Sequence, residues 1–505
     1  MVITGKKKKI LIAAAAAVVL LAAAVTAYCA VEGFGGFDRS GWVTDEIGAR
    51  RYLDRRGDAL TGWQTVDGAE RFFDTARYGA LHTGWLLTRE GTLYLDEGGC
   101  RTTGWQEIDG KRYCFTDTGI MQVGWLKSDG ERYYLAEDGA MRTGWLESDG
   151  ARYYLAESGA MQTGWVEADG ARYYLAESGA MQSGWIELDG ARYYLAENGA
   201  LQTGWVDLDG ARYFLAEDGA MQTGWTDTGD GPAYLSGDGR VVPGWTETER
   251  GRCYVQEDGC VRIGWLEEGG LSYRFDDTGI LHTGWLDLDG ERYYFHEDGV
   301  MAVGEVEIDG QRRYFTSKGR YFVLVNPWNS VPEDYTTELV PFGDYQISAV
   351  CHDALVDLRE ACLAEGLTFN LTSAYRSHEY QTTLFQRKVD KLMGQGYSYE
   401  AAYSETSRSI AIPGTSEHQL GLAVDIKSGY KVYDWLAEHS WEYGFIMRYP
   451  DGDTKLTGIY YEPWHFRYVG KELAKEIFDL DLCVEAYMDQ LTQQQAALRG
   501  LRFAE

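Results

Sequence analysis

Two imidazoles and two carboxylates recur at close spacing near the C-terminal end of this chain. His418 and Asp425 lie in Thr415-Ser416-Glu417-His418-Gln419-Leu420-Gly421-Leu422-Ala423-Val424-Asp425, and Glu462-Pro463-Trp464-His465 follows about forty residues later. These are the residue types of a hydrolytic zinc centre, which takes three protein ligands, leaves a position for water and lowers that water's pKa toward ~7. A His beside a carboxylate is also a common structural hydrogen bond, so residue types alone leave both readings open. The small residues Gly421 and Ala423 let a short turn or strand bring His418 and Asp425 together. Pro463 biases Glu462 toward an extended conformation. Glu462 and His465 are three apart and would point to opposite faces of a regular strand, so a bend near Pro463 is required.

Further blocks surround these residues in a fixed order. They are Leu324-Val325-Asn326-Pro327, Val331-Pro332-Glu333-Asp334-Tyr335, Ser373-Ala374-Tyr375-Arg376-Ser377, Pro413 to His418, Tyr443 to Pro450, and Tyr461 to Gly470. In that order they resemble the VanY-type D-alanyl-D-alanine carboxypeptidases, zinc peptidases that trim peptidoglycan stem peptides. The resemblance implies that His418, Asp425 and His465 bind Zn2+, that Glu462 is the general base, and that Arg376 steadies an oxyanion or a substrate carboxylate. Ser416 and Gln381 are weaker candidates for substrate contacts. His378, two residues past Arg376, is not read as a ligand. An L,D-carboxypeptidase or an endopeptidase acting on stems is a variant of this reading. A surface glycan-binding adhesin whose zinc domain is secondary is the alternative from another class.

Upstream, Gly-Trp recurs at Trp42, Trp63 and Trp85 and then every twenty residues through Trp285, taking up thirteen of the 17 tryptophans; Gly304-Glu305 ends the series. A fixed period of this length marks a repeat array whose units bury their faces against their neighbours. Asp149-Gly150 and Ser158-Gly159 flank an aromatic run that is strand-like, so each unit reads as a short β-hairpin. The array resembles the cell-wall-binding repeats of choline-binding proteins, glucan-binding proteins and clostridial toxins. In choline-binding repeats a tryptophan commonly opens the segment that Arg112, Arg132, Arg152, Arg172, Arg192, Arg212, Arg252 and Arg292 open here. An arginine there would repel a cation or cover the aromatic face itself, which points away from choline and toward a cell-wall glycan or a teichoic-acid-type polymer.

Lys6 to Lys9 precede 22 uncharged residues from Ile10 to Val31, long enough to span a bilayer. The expectation is one N-terminal transmembrane helix with the rest of the chain outside a Gram-positive-type cell; secretion after cleavage near Val25-Thr26-Ala27 is the alternative. The formal charge of -31 argues against nucleic acid as a partner. Cys253 with Cys260, or Cys100 with Cys114, could pair in an oxidising compartment, whereas Cys351 and Cys362 are too far apart along a helix to bridge. The expected fold class is multidomain: a membrane anchor or signal over 1–31, a β-hairpin repeat solenoid over 40–319, an α+β zinc peptidase domain with an antiparallel sheet over 320–490, and a helical tail over 491–505. Helices are expected around 350–365, 378–393 and 434–442.

Overall fold

The computed structural model describes residues 39–502. It divides into two compact units, one holding the array up to Thr203 with Glu217–Met221, the other holding Gly204–Ala216 and the chain from Gln222 onward.

The first unit opens with a five-stranded antiparallel sheet built from residues 41–81. Two-stranded hairpins follow. In one, Gly144–Ser148 pairs with Ala151–Leu155, setting Trp145 opposite Tyr154 and Glu147 opposite Arg152. Its turn residues Asp149 and Gly150 both have positive φ, 53° and 77°, the conformation that matches the twist of a two-residue hairpin and that Asp-Gly adopts readily. A lone hairpin has no core of its own. Here Trp145 meets Tyr154 of its own hairpin at 5.1 Å and Tyr173 of the next at 4.7 Å, both edge-on. The Met181 amide also donates to the Arg152 carbonyl, so backbone bonds as well as rings join successive units. Leu155, Leu175 and Leu195 are fully buried along this axis.

The second unit continues the hairpins to a three-stranded sheet made of Gly304–Ile308, Gln311–Phe315 and Tyr321–Phe322. An α+β domain follows. Helix α1 (Ala349–Ala364) leads to strand β1 (Leu371–Ser373), helices α2 (His378–Met393) and α3 (Tyr399–Ser407), strand β2 (Ala423–Ile426), helix α4 (Tyr430–His439), strands β3 (Phe445–Met447) and β4 (His465–Tyr468), and helices α5 (Lys471–Leu480) and α6 (Val484–Arg502). The sheet is antiparallel throughout, in the order β1-β2-β4-β3. Its inner face and α1 share a core that includes Ile347, Leu355, Leu358, Val424, Phe445 and Phe466. A second core joins Tyr314 and Phe322 of the last hairpin to Ile446, Ile477, Tyr487 and Met488. The helical tail expected from 491 is part of α6, which begins at Val484.

Two expectations change. The fold class with an N-terminal transmembrane helix is withdrawn, and membrane association with it: no helix among the described residues is long and apolar enough to cross a membrane. The stretch Ile10 to Val31, on which it rested, lies outside the described residues. The cysteine pairs of the array are free thiols. Cys114 and Cys253 turn into the hairpin core, while Cys100 and Cys260 sit on bridges to a preceding hairpin, opposite Arg71 and Ala233. Cys351 and Cys362, both on α1, are buried in its core.

Candidate metal centre

Strand register brings the first two functional side chains together. Asp425 on β2 stands directly opposite His465 on β4, and directly opposite residues of an antiparallel pair share a face at close range. On the other side Asp425 faces Ser373 of β1. His418 comes from a different kind of element, the single 3-10 turn Glu417–Leu420. Gly421 ends that turn at φ +72°, where a Cβ would lie 3.0 Å from the Ser348 amide nitrogen, so only glycine suits both the backbone and the space. The chain then runs straight into β2.

The next segment aims the rings. His418 Nδ1 lies 2.7 Å from the Ala374 carbonyl, an acceptor, so Nδ1 carries the proton and the Nε2 lone pair faces Asp425 Oδ2 at 3.4 Å. His465 turns Nδ1 toward Asp425 Oδ1 at 3.1 Å and Nε2 toward Glu417 Oε2 at 3.9 Å. Ligand atoms of His418, Asp425 and His465 all lie within 4.8 Å of one another and all three residues are buried. The Nδ1 of His465 approaches Asp425 Oδ1 off the direction of a hydrogen bond, so Oδ1 is buried without a donor. Buried oxygens of that kind are costly unless something satisfies them, and a divalent cation among these donors would do so. The set of two imidazoles and one carboxylate fits zinc.

Glu462 precedes the turn at Pro463–Trp464 that leads into β4. The His465 amide donates to the Glu462 carbonyl at 3.2 Å, which is the bend the spacing demanded, and Glu462 Oε2 lies 3.7 Å from His465 Nδ1. A cavity of about 250 Å³ opens here, lined by Glu462, the three candidate ligands, Arg376 and Ser416. Burial raises the Glu462 carboxyl to about 7 against the pull of His465. Burial lowers His418 to about 4 despite Asp425. At His465 burial works downward too, but Asp425 and Glu417 on either side outweigh it and lift the imidazole to about 9.

Arg376 forks onto its neighbours, donating Nε to Ser373 Oγ at 2.8 Å and Nη2 to Asp425 Oδ2 at 2.7 Å. Gln381 is fully buried; it accepts from Arg376 at 3.4 Å and donates to the Ala411 carbonyl, so it braces Arg376 rather than facing the cavity. His378 is not in the triad and contacts Gln419.

Sequence reasoning assigned no role to Glu417, Arg448, Glu485 or Tyr449. Arg448 is completely buried and binds Glu417 at 2.8 Å and Glu485 at 2.6 Å, while Arg467 approaches Glu417 at 3.3 Å. Burial alone would raise Glu417, but the two guanidiniums hold it well below the usual carboxylate range. A carboxylate is thus fixed behind His465 Nε2, the second partner that orients a metal-binding imidazole. Glu417 and Arg448 stand inside the ordered blocks that carried the resemblance, which was the available signal; Glu485 stands in none.

The family model described as D-alanyl-D-alanine carboxypeptidase matches residues 344–471. A bifunctional D-Ala-D-Ala dipeptidase and D-Ala-D-Ala carboxypeptidase of Enterococcus gallinarum is 32% identical over 173 residues, 31% of this chain and 85% of that protein. The chain belongs to the D-alanyl-D-alanine carboxypeptidase family. Another member, a D-alanyl-D-alanine carboxypeptidase of Enterococcus faecalis, is 41% identical over 174 residues, 33% of this chain and 65% of its own length. The chain therefore spans just under two thirds of that relative. A vancomycin resistance D,D-pentapeptidase VanY solved in complex with Zn(II) is 41% identical, covering 33% of this chain and 97% of that one with a TM-score of 0.32. The carboxypeptidase-family segment is joined to an array that matches choline-binding repeats at residues 102–142, 124–163, 142–184, 162–203 and 282–320, and a putative cell wall binding repeat at 203–221.

Proposed function

We propose that the chain is a zinc-dependent carboxypeptidase that removes the C-terminal D-Ala from peptidoglycan stem peptides, working outside the cell at a wall to which its repeats bind. The observation that carries this reading is Glu462: a carboxylate only 13% exposed, just before a turn, beside three convergent donors and open to a small cavity. A domain that only bound zinc would need no such group. His418, Asp425 and His465 hold the ion, which when bound supplies Lewis acidity and a lowered pKa for water. Glu462 takes the proton of the attacking water and hands it to the leaving amine. Arg376, held in place by Ser373 and Gln381, offers its guanidinium to the oxyanion or to the terminal carboxylate of the stem. Ser416 lines the same cavity and contacts the peptide end.

Residues 40–319 serve as the wall-binding part and 320–490 as the catalytic part. In the array Arg152 lies over the Trp145 ring at 4.3 Å, and Arg132 and Arg172 cover Trp125 and Trp165 at 4.6 and 4.7 Å. These indole faces already carry a cation, which favours a wall glycan or anionic polymer over choline as the ligand.

The test is hydrolysis of synthetic pentapeptide and tetrapeptide stems by the purified chain, followed by mass spectrometry. Loss of one D-Ala from the pentapeptide is expected. Cleavage of the tetrapeptide alone would move the assignment to L,D-specificity, and intact stems with zinc bound would refute the peptidase reading. Glu462→Gln is expected to lower kcat by at least ~100-fold while metal content, measured by atomic emission, stays at wild-type level.

A further inference from the structure

The last hairpin departs from a pattern that eight of the others follow. In eight hairpins, those of Arg112, Arg132, Arg152, Arg172, Arg192, Arg212, Arg252 and Arg292, the arginine lies 4.3 to 5.4 Å over the tryptophan seven residues before it. In the last, that tryptophan is Glu305, so Arg312 has no indole to cover. The next position, tyrosine at 113, 133, 153, 173, 193, 213, 273 and 293, is Arg313. Tyr321 takes over the aromatic role and meets Trp285 at 5.6 Å. Arg312 is thereby left without an indole, while Arg313 lies over the Tyr321 ring at 5.9 Å and donates to Gln311 Oε1. Arg312 Nη2 reaches the Trp328 carbonyl at 3.5 Å and Arg313 Nη1 the Tyr321 hydroxyl at 3.0 Å. Arg292 is ion-paired with Asp287 at 3.4 Å, whereas neither Arg312 nor Arg313 has a carboxylate partner among the described residues.

Both line a cavity of about 610 Å³, more than twice the size of the cavity at the metal centre. A second cavity of about 410 Å³ shares Arg313, Tyr321 and Asp334 with it and adds Trp285 and Arg292. Trp328 is 56% exposed on the wall of the larger one. Glu333 and Asp334 complete the lining. An exposed indole offers a flat apolar face to a sugar ring, the carboxylates accept from hydroxyls, and a guanidinium takes an acidic substituent. Arg312, exposed and bonded only to the Trp328 carbonyl, keeps most of its donors available to an anion.

We infer that this groove binds a glycan strand bearing carboxylates, with one sugar ring on Trp328 and its acidic group between Arg312 and Arg313. The identity of the glycan rests on the wall role proposed above. The Pro327–Trp328 corner packs on Gly458, and the next residue, Ile459, lines the catalytic cavity, so a strand seated here lies beside the peptide site.

The test is isothermal titration of the full chain with a β-1,4-linked amino-sugar tetrasaccharide whose lactyl carboxylates are free. Arg312→Ala/Arg313→Ala is expected to weaken binding at least tenfold, and methyl esterification of the sugar should weaken it equally. Trp328→Ala should do the same. Arg312 is exposed and Arg313 partly buried against Tyr321, away from the metal centre, so the double variant should remain folded by circular dichroism and keep full hydrolysis of a free pentapeptide stem. That assay separates failure of this inference from failure of the peptidase reading. Wild-type affinity in the double variant, no binding by the wild-type chain, or tighter binding of a polyol-phosphate oligomer would each overturn the assignment.

Discussion

Glu417 shows how a residue with no part in the chemistry can govern a site. It is buried one position before a candidate ligand and faces the far nitrogen of another, His465 Nε2, at 3.9 Å. Arg448 and Arg467 keep it ionised. Replacing Arg448 by Met leaves Glu417 and Glu485 short of a partner in a buried setting, and removing one member of such a network costs about 3–5 kcal/mol. Chemical denaturation of Arg448→Met against wild type checks this. The same network sets an acid limit. Because the folded-state pKa of Glu417 is depressed, its contribution to stability is complete above the ordinary carboxylate value of 4.5 and is lost as pH falls below it. Unfolding free energy should therefore drop between pH 5 and lower values, and the drop should shrink in Glu417→Gln, already destabilised at neutral pH. The convergence of the four candidate positions was legible in sequence because their types are rare and ordered motifs frame them. The bracing of His465 was not, since Glu485, which completes it, lies outside every motif and meets Arg448 only in three dimensions.

The elements were legible to different degrees. The hairpins could be read from their turns: Asp149 and Gly150 adopt the positive φ that this pair signals, and the same is true of Asp169 and Gly170. Helix α2 spans His378–Met393, matching the expected bounds, because Ser377 caps it by accepting from the Tyr380 amide. The short 3-10 turn that carries His418 left no periodic trace, and α3 was not expected. Stacking of the array was visible only as periodicity, while its cost of error is visible in structure. Gly159 has φ +85° and a Cβ there would lie 2.3 Å from Met141 Sδ of the preceding unit. Gly159→Ala should destabilise by more than ~1 kcal/mol, combining backbone strain with displacement of a packed sulfur. Hydrogen exchange should rise in the hairpins that contain Met141 and Gly159 and stay unchanged several units away, as nearest-neighbour stacking requires. The arginines make a separate prediction. With Arg152 over Trp145, choline at millimolar concentration should leave the melting temperature of the chain unmoved, whereas a ligand that bound the folded array would raise it.

At the scale of the second unit, helix α6 ties the last hairpins to the candidate metal centre. Its first turn supplies Glu485 to Arg448, and its second and third bury Tyr487, Met488 and Leu491 in the core shared with Tyr314 and Phe322. Further along, Thr492 Oγ1 accepts from the Glu305 amide, Gln495 bonds both the Val303 amide and the Met301 carbonyl, and Arg499 pairs with Asp298 at 2.9 Å. Gly304 must be glycine here: a Cβ would fall 2.5 Å from the Thr492 amide nitrogen. The end of the array is thus one wall of the core that holds Ile446 of β3, rather than a flexible attachment to it. It follows that the two ends of α6 can be separated by mutation. Gln495→Ala/Arg499→Ala removes hydrogen bonds to the hairpins and leaves Glu485 in place; it should lower stability by about 2 kcal/mol, at ~1 kcal/mol for each lost group, with kcat on a pentapeptide stem near wild type. Glu485→Gln keeps the helix docked but takes a charge from Arg448, and should reduce zinc affinity by about 10-fold, the scale of effect seen when a partner that orients a ligand is lost. Zinc titration with a competing chelator alongside thermal melts would distinguish the two. Equal loss of metal affinity in both variants would mean that the hairpins themselves, through α6, hold the imidazole of His465 in position.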